Sequence, residues 1–182
     1  MDSDHSWIMT FSGKRFYPLA PRIEDIDIVD IAHALSNICR FTGHVRSFYS
    51  VAQHSVLCAQ YAPDRLKLAL LLHDASEAYL CDVARPVKHA PGMAPYRAAE
   101  QHLQTLIGQR FGVSFEDSII HDIDNRMLMT ERRDLMDCTQ TWSVGNLAPY
   151  PEPIRPMQPA QAELALLWAL ETAMRPGNKK AP

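Results

Sequence analysis

The 182-residue sequence has no marked excess of charge of either sign. It contains 18 basic and 21 acidic residues, which gives a formal net charge of −3. Proteins that bind the phosphate backbone of duplex DNA usually present a clear excess of positive charge. We therefore expect no duplex nucleic acid among the partners of this chain, and basic residues that matter for function should act locally.

Long apolar runs are also absent. A helix that spans a bilayer needs about 20 consecutive apolar residues, whereas the nearest candidates, around residues 68–72 and 164–170, are short or interrupted. The first residues lack the charged segment followed by an apolar one that marks a signal peptide. These absences argue against a membrane protein.

Cysteine is scarce and scattered, with no CxxC pair, so a reduced cytoplasm is the simplest location. The four residues are Cys39, Cys58, Cys81 and Cys138. At this length, a hydrophobic content of 47% is enough for one continuous core. Since no internal repeat or shift in composition marks a boundary, we expect a single domain over residues 1–182.

Helical periodicity accounts for most of the chain. Asp27 is a plausible N-cap, residues 50–53 fit a capping box in type and spacing, and Gly112 fits a helix stop. The expected helices run from Asp27 to about Arg40, Ser50 to about Tyr61, Pro63 to about Tyr79, Ala94 to Phe111, about Phe115 to Asp137, and Ala160 to Met174. The pattern predicts an all-α bundle of about six or seven helices.

Three segments fall outside these helices. Trp7, Met9 and Phe11 alternate with polar residues ahead of a Ser-Gly turn, which predicts a short N-terminal β-hairpin. Residues 142–159 hold five prolines and one glycine, so we expect an extended loop packed on the surface rather than a cover over a pocket. The tail over residues 176–182 is expected to be disordered.

The third expected helix turns abruptly polar after an almost wholly apolar stretch. His73 and Glu77 would stand one above the other at i and i+4, with Asp74 adjacent along the axis. A divalent ion beside the helix could bind His73 and Asp74 and leave Glu77 over its open coordination sites. The alternative is a helix end whose polar residues are solvated.

Two other helices place ionisable groups on apolar faces. His54 lies among apolar residues at helical spacing, and Asp124 shares a face with Ile120, Ile123 and Met127, whereas Asp122 lies off that face. Aspartate is rarely buried without a partner. Together the three helices supply two imidazoles and two carboxylates, a set that suits Mn, Co, Fe, Zn or Mg. The alternative is that these are unrelated polar groups of the core.

The order His54, His73-Asp74, Asp124 resembles the H...HD...D signature of the HD-domain phosphohydrolases. The flanking residues are more specific: YSVAQHS at 49–55, HDASE at 73–77, Asp82, and RPVK at 85–88. These segments are similar to the bacterial HD-type 5'-deoxynucleotidases and to phage deoxyadenosine triphosphate triphosphohydrolases. The likeness covers residues 27–137.

The resemblance implies a role for each matching residue. The metal ligands would be His54, His73, Asp74 and Asp124. The catalytic acidic residues would be Glu77 and Asp82, and the substrate-binding residues Arg40 and Phe41. Apart from the resemblance, we expect Lys88 to bind substrate by offsetting charge on the phosphate oxygens, the alternative being a solvated surface charge. The chain departs from the bacterial nucleotidases at Phe41, where they carry tryptophan, and at Gln53, where they carry glutamate.

The resemblance further implies hydrolysis of the 5'-phosphate ester of a deoxynucleotide. A triphosphate would yield deoxynucleoside plus triphosphate, and a monophosphate would yield deoxynucleoside plus phosphate. The alternatives are a phosphodiesterase that cleaves a cyclic or signalling nucleotide and a non-catalytic helical metal-binding module. Enzymes of this kind are usually homo-oligomers, so we expect the same here.

Overall fold

A computed structural model describes residues 6–137, 139–140, 142 and 147–175. The described chain is mostly helical and begins with a two-stranded antiparallel hairpin, which confirms the expected all-α class. None of the helices in these residues is both long enough and apolar enough to cross a membrane. The predicted disordered tail at 176–182 lies outside the described residues, as does Cys138.

The hairpin pairs β1 (Ile8–Met9) with β2 (Arg15–Phe16), with Ile8 opposite Phe16. Gly13 adopts a φ of 81° in the connecting turn, a conformation that glycine reaches without strain. The hairpin is fastened to the first helix by buried Asp30, which accepts hydrogen bonds from the backbone and hydroxyl of Ser12 at 2.6 and 2.9 Å.

The first two long helices are α1 (Ile28–Asn37) and α2 (Val51–Gln60). The side chain of Asp27 caps α1, as predicted. However, α1 ends before Arg40, because Ile38 becomes extended and Cys39 pairs with Ser50 in an isolated antiparallel bridge. This bridge places Arg40 beside the start of α2.

The expected third helix is divided into α3 (Lys67–Leu72) and α4 (Glu77–Leu80), followed by α5 (Arg85–Lys88). Between α3 and α4 the backbone bonds tighten to i→i+3, from Ala75 to Leu72 and from Glu77 to Asp74, both at 3.0 Å. The prediction of one continuous helix was therefore wrong. The tightened turn presents His73 and Asp74 together toward α2.

The remaining helices are α6 (Ala94–Phe111), α7 (Ser118–Leu135) and α8 (Pro159–Met174). The bounds of α6 and its left-handed stop at Gly112 agree with the prediction. Helix α7 begins later than expected because Asp117 caps it through the Ile119 amide. Helix α2 packs against α1, α3, α7 and α8, and its buried residues lie at the centre of the core.

The segment 147–157 packs along α2 and α7. The Gln53 amide donates to Arg155 O and its oxygen accepts from Met157 N, both at 2.8 Å. The predicted capping box is therefore only half formed, since Ser50 caps α2 but Gln53 turns away. A carboxylate could not make both contacts, which gives a physical reason for glutamine at this position. Tyr150 completes the packing by stacking on Tyr61.

Candidate functional site

The four predicted metal ligands converge from α2, the 73–76 turn and α7. His54 Nε2 lies 3.2 Å from His73 Nε2 and 3.2 Å from Asp124 Oδ1. Asp74 Oδ2 lies 3.6 Å from His54 Nε2 and 3.3 Å from His73 Nε2. His73 Nε2 and Asp124 Oδ1 are 3.9 Å apart. All five distances are short enough for these donor atoms to surround one ion.

This spacing fits a shared ion. Two ligand atoms bound to one ion at about 2.1 Å lie about 3.0 Å apart in octahedral coordination and about 3.4 Å apart in tetrahedral coordination. The separations between these donor atoms are 3.2–3.9 Å. The described residues thus include a group of His and Asp side chains that could hold a metal ion.

In both imidazoles, a hydrogen bond made by Nδ1 fixes the orientation of the ring. His73 Nδ1 lies 2.7 Å from Leu70 O, and His54 Nδ1 lies 2.6 Å from a carboxylate oxygen of Glu131. Because a carbonyl or carboxylate oxygen can only accept, each Nδ1 donates its proton. In the neutral rings, each Nε2 then presents a lone pair to the same point. Two facing lone pairs repel, and either a metal ion or a proton on His54 between them removes that repulsion. Burial and the charge of Arg40 oppose that proton, but Cys58, Glu131 and Asp124 raise the pKa of His54 well above its usual value in the metal-free protein.

The carboxylates of this group favour the ionised state. Burial opposes ionisation of Asp124, but the hydrogen bond and charge of His54, with His73 and Arg40, hold its pKa well below the usual range. Burial also opposes ionisation of Asp74, yet His73, His54 and Arg40 lower its pKa. The site therefore offers charged oxygen donors rather than neutral acids.

Cys58 is a further donor close to His54, within the group of side chains that could hold an ion. Its sulfur is 3.6 Å from Nε2 and 3.9 Å from Nδ1 of His54. Near-equal distances from both ring nitrogens place the sulfur beside the ring rather than in front of the Nε2 lone pair. Burial also raises the pKa of the thiol. Asp74 is therefore better placed than Cys58 as the fourth ligand.

Glu131 and Arg40 lie directly behind the ligands. Glu131 is fully buried on α7 and accepts from His54 and from Arg40, the latter at 3.2 Å. Arg40 also approaches Asp74 Oδ2 at 3.3 Å. Burial opposes the charge of Glu131, but Arg40 and His54 lower its pKa.

Glu77 and Asp82 form an acidic pair beside the centre. Burial, together with the charges of Asp74 and Asp82, raises the pKa of Glu77 well above its ordinary value. Burial likewise raises the pKa of Asp82. Within the described part of the chain, Glu77 Oε2 is buried without a hydrogen-bond partner. A buried carboxylate with a raised pKa suits proton transfer near neutral pH.

A cavity of about 840 Å³ opens onto the centre. Asp74, Glu77 and Asp124 form its floor, and Phe41 and Trp142 form an aromatic wall with ring centroids 6.0 Å apart. Phe41 has a φ of 56°, which is strained for a bulky residue. Strain of this kind is often retained where a side chain must face a ligand. The volume suits a small molecule the size of a nucleotide.

The chain is similar to known bacterial proteins. It is 44% identical over 141 residues to the uncharacterized protein YfdR of Escherichia coli strain K12, covering 76% of this chain and 78% of YfdR. The chain belongs to the YfdR family. An uncharacterized protein of Rhodobacter capsulatus is 39% identical to it over 117 residues, 59% of each chain. No protein-family model matches the chain. Since neither relative's name states an activity, the reaction must be argued from the site.

The structure of this YfdR-family chain brings together every site residue that the sequence predicted. Arg40, Phe41, Glu77, Asp82 and Lys88 line the cavity with Asp74 and Asp124. Arg40 is mostly occupied by Glu131 and Asp74 rather than open to a ligand. Lys88 Nζ lies 2.6 Å from Glu100 and 3.8 Å from Glu77.

Sequence reasoning missed two residues of the site. Glu131 lies seven residues beyond Asp124, hence on the same face of α7, and this spacing was a usable signal. Trp142 lies in the Pro-rich segment that we expected to pack away from the pocket, and no local pattern distinguished it. The rest of that segment over 147–157 packs on α2 and α7, whereas the sequence predicted only that it would pack on the surface.

Proposed function

We propose that this YfdR-family protein is a metal-dependent phosphohydrolase that cleaves the 5'-phosphate ester of a deoxynucleotide. The observation that carries the proposal is the pair of imidazole Nε2 atoms, 3.2 Å apart, that face each other and two ionised carboxylates. Such a set is unfavourable unless a proton or a metal ion lies between the nitrogens, and its donors suit Mn, Co, Fe, Zn or Mg. The resemblance to HD-domain phosphohydrolases supports the choice of reaction.

The ligands would be His54, His73, Asp74 and Asp124. When bound, a divalent ion supplies a Lewis acid for a phosphoryl oxygen and lowers the pKa of water. Glu77 would orient the attacking water and accept its proton, because its carboxylate lies at the edge of the centre and its pKa is raised. Asp82, with a raised pKa of its own, would protonate the departing 5'-oxygen.

The rest of the substrate would occupy the cavity. Lys88 is the cation best placed to offset charge on the phosphate, since it lies between Glu77 and Glu100 and is half-buried. The sugar and base would pack on Phe41 and Trp142, where an aromatic ring near the sugar disfavours a 2'-hydroxyl. Arg85 and His44 also line the cavity and would face a longer phosphate chain.

A product assay tests the proposal. The protein with Mn²⁺ or Co²⁺ would be incubated with mono- and triphosphates of ribo- and deoxynucleosides, beside His73→Ala and Asp74→Ala. We expect a deoxynucleoside with either phosphate or triphosphate. Both variants should lose about 100-fold or more of the activity, because removal of even an outer-shell partner of a metal site costs about 10–100-fold. Hydrolysis by both variants at the parent rate would disprove the assigned centre. Metal binding without any turnover would favour the non-catalytic module.

A further inference from the structure

Glu131 is the most deeply buried carboxylate beside the centre, with no exposed surface. An ionised carboxylate is costly to bury unless its oxygens are partnered. Both oxygens of Glu131 are partnered, one by His54 and the other by Arg40. Glu131 lies two turns beyond Asp124 on the same face of α7. One helix therefore places two carboxylates at the centre.

The contact with His54 determines which ring nitrogen carries the proton. Glu131 Oε1 lies 2.6 Å from Nδ1, so that nitrogen donates. Nε2 is therefore left to face His73 and Asp124, at 3.2 Å from each. A ring rotated the other way would lose the bond to Glu131 and point its free nitrogen away from the centre.

Through its contact with Arg40, Glu131 also affects a second proposed ligand, Asp74. The two terminal nitrogens of Arg40 bridge Glu131 Oε2 at 3.2 Å and Asp74 Oδ2 at 3.3 Å. Without Glu131, this buried guanidinium would have Asp74 as its remaining close anion, and it would compete with a metal ion for that carboxylate. Glu131 thus shares the charge of Arg40 and limits this competition.

We propose that Glu131 is a positioning residue that holds His54 directly, and Asp74 through Arg40, in the arrangement that binds the metal ion. The inference rests on the metal centre of the proposed function but not on hydrolysis. It also gives Arg40 a role in ordering the ligands, beyond the contact with phosphate that the family resemblance implies.

The first test is the affinity for Mn²⁺, measured by calorimetry in the absence of nucleotide. Glu131→Gln keeps the shape of the side chain and removes its charge, and we expect it to weaken binding by about 10–100-fold. The matched control is Asp122→Asn, which removes one negative charge from an exposed position of the same helix. Equal affinity of Glu131→Gln and the parent would overturn the proposal, whereas Asp122→Asn should bind as the parent does.

The second test needs no variant and so does not depend on whether Glu131→Gln folds. Long-range ¹H–¹⁵N spectra of the zinc-loaded parent protein should show His54 protonated at Nδ1 and bound to the metal through Nε2. Coordination through Nδ1 would overturn the proposal. Both measurements omit substrate, so a protein that binds metal as expected but hydrolyses no nucleotide would contradict the proposed function alone.

Discussion

Among single residues, Glu77 has surroundings that disfavour the ionised side chain that the proposed reaction requires. Its side chain is buried, one oxygen has no hydrogen-bond partner in the described structure, and Asp74 and Asp82 lie close by. Each of these features disfavours the ionised form. Yet a carboxylate poised to accept a proton is what the proposed reaction requires.

Glu77→Gln should therefore inactivate and stabilise the protein. We expect kcat to fall by about 100–10,000-fold, because proton transfer is lost. The metal-free variant should gain about 1 kcal/mol of unfolding free energy at neutral pH, since a buried carboxylate among like charges is removed. Thermal unfolding and steady-state kinetics would measure both effects. A variant that is less stable than the parent at neutral pH would contradict this account.

The same residue predicts a pH dependence. A folded-state pKa above the unfolded value means that the stability contributed by protonated Glu77 is present at low pH and is lost as the pH rises through the folded pKa. The advantage of Glu77→Gln should thus vanish near pH 4 in the metal-free protein. In the metal-loaded parent, kcat/KM should fall on the acid side as Glu77 becomes protonated and can no longer accept a proton.

At the element scale, the end of α4 is unusual. Cys81 has φ 67° and ψ 157°, a region that is essentially restricted to glycine. Tyr96 of α6 holds this conformation, because its hydroxyl lies 3.2 and 2.9 Å from the carbonyl oxygens of Leu80 and Cys81 and shares its one proton between them. The strained residue directly precedes Asp82, so the backbone here aims that carboxylate at the cavity.

Cys81→Gly should stabilise the protein by about 1 kcal/mol. The strain of about 1–3 kcal/mol exceeds the entropy cost of glycine, about 0.5–1 kcal/mol, and the exposed thiol makes little packing to lose. Cys39→Gly is the matched control, because Cys39 has an ordinary φ of −79° and is partly buried. Urea unfolding should show the control destabilised. Destabilisation by Cys81→Gly would mean that the strain argument is wrong.

At the scale of the whole molecule, the centre joins parts of the chain that are far apart in sequence. The proposed ligands come from α2, the 73–76 turn and α7, so a bound ion would act as a cross-link of the native state alone. The cytoplasmic location and the homo-oligomer stay predictions. The exposed Leu164 and Trp168, one turn apart on α8, are apolar side chains available for such an interface.

Mn²⁺ at 100 times its Kd should therefore stabilise the protein by about 2.7 kcal/mol. For a chain of this length, that corresponds to a rise in Tm of about 5–10 °C. His73→Ala should lose the rise, whereas His121→Ala, at an exposed position on α7, should keep it. Calorimetry with and without EDTA would measure the shift. An equal rise in His73→Ala would show that the ion stabilises the protein from another site.

Features that depend on neighbours a few residues away could be predicted from the sequence alone. The caps at Asp27 and Ser50, the bounds of α6 and the apolar faces that carry His54 and Asp124 follow from hydrogen bonds and periodicities within one or two helical turns. The family resemblance then supplied roles for the ionisable residues.

Which buried charges contact each other depends on how the helices pack and could not be predicted from the sequence. Glu131 is 77 residues from His54 and 91 from Arg40, and Gln53 acts on a segment more than 100 residues away. The break at His73 likewise serves a site completed by α2 and α7. Buried polar groups need hydrogen-bonding partners. The identity of each partner depends on how the helices pack, and no local sequence pattern predicts that packing.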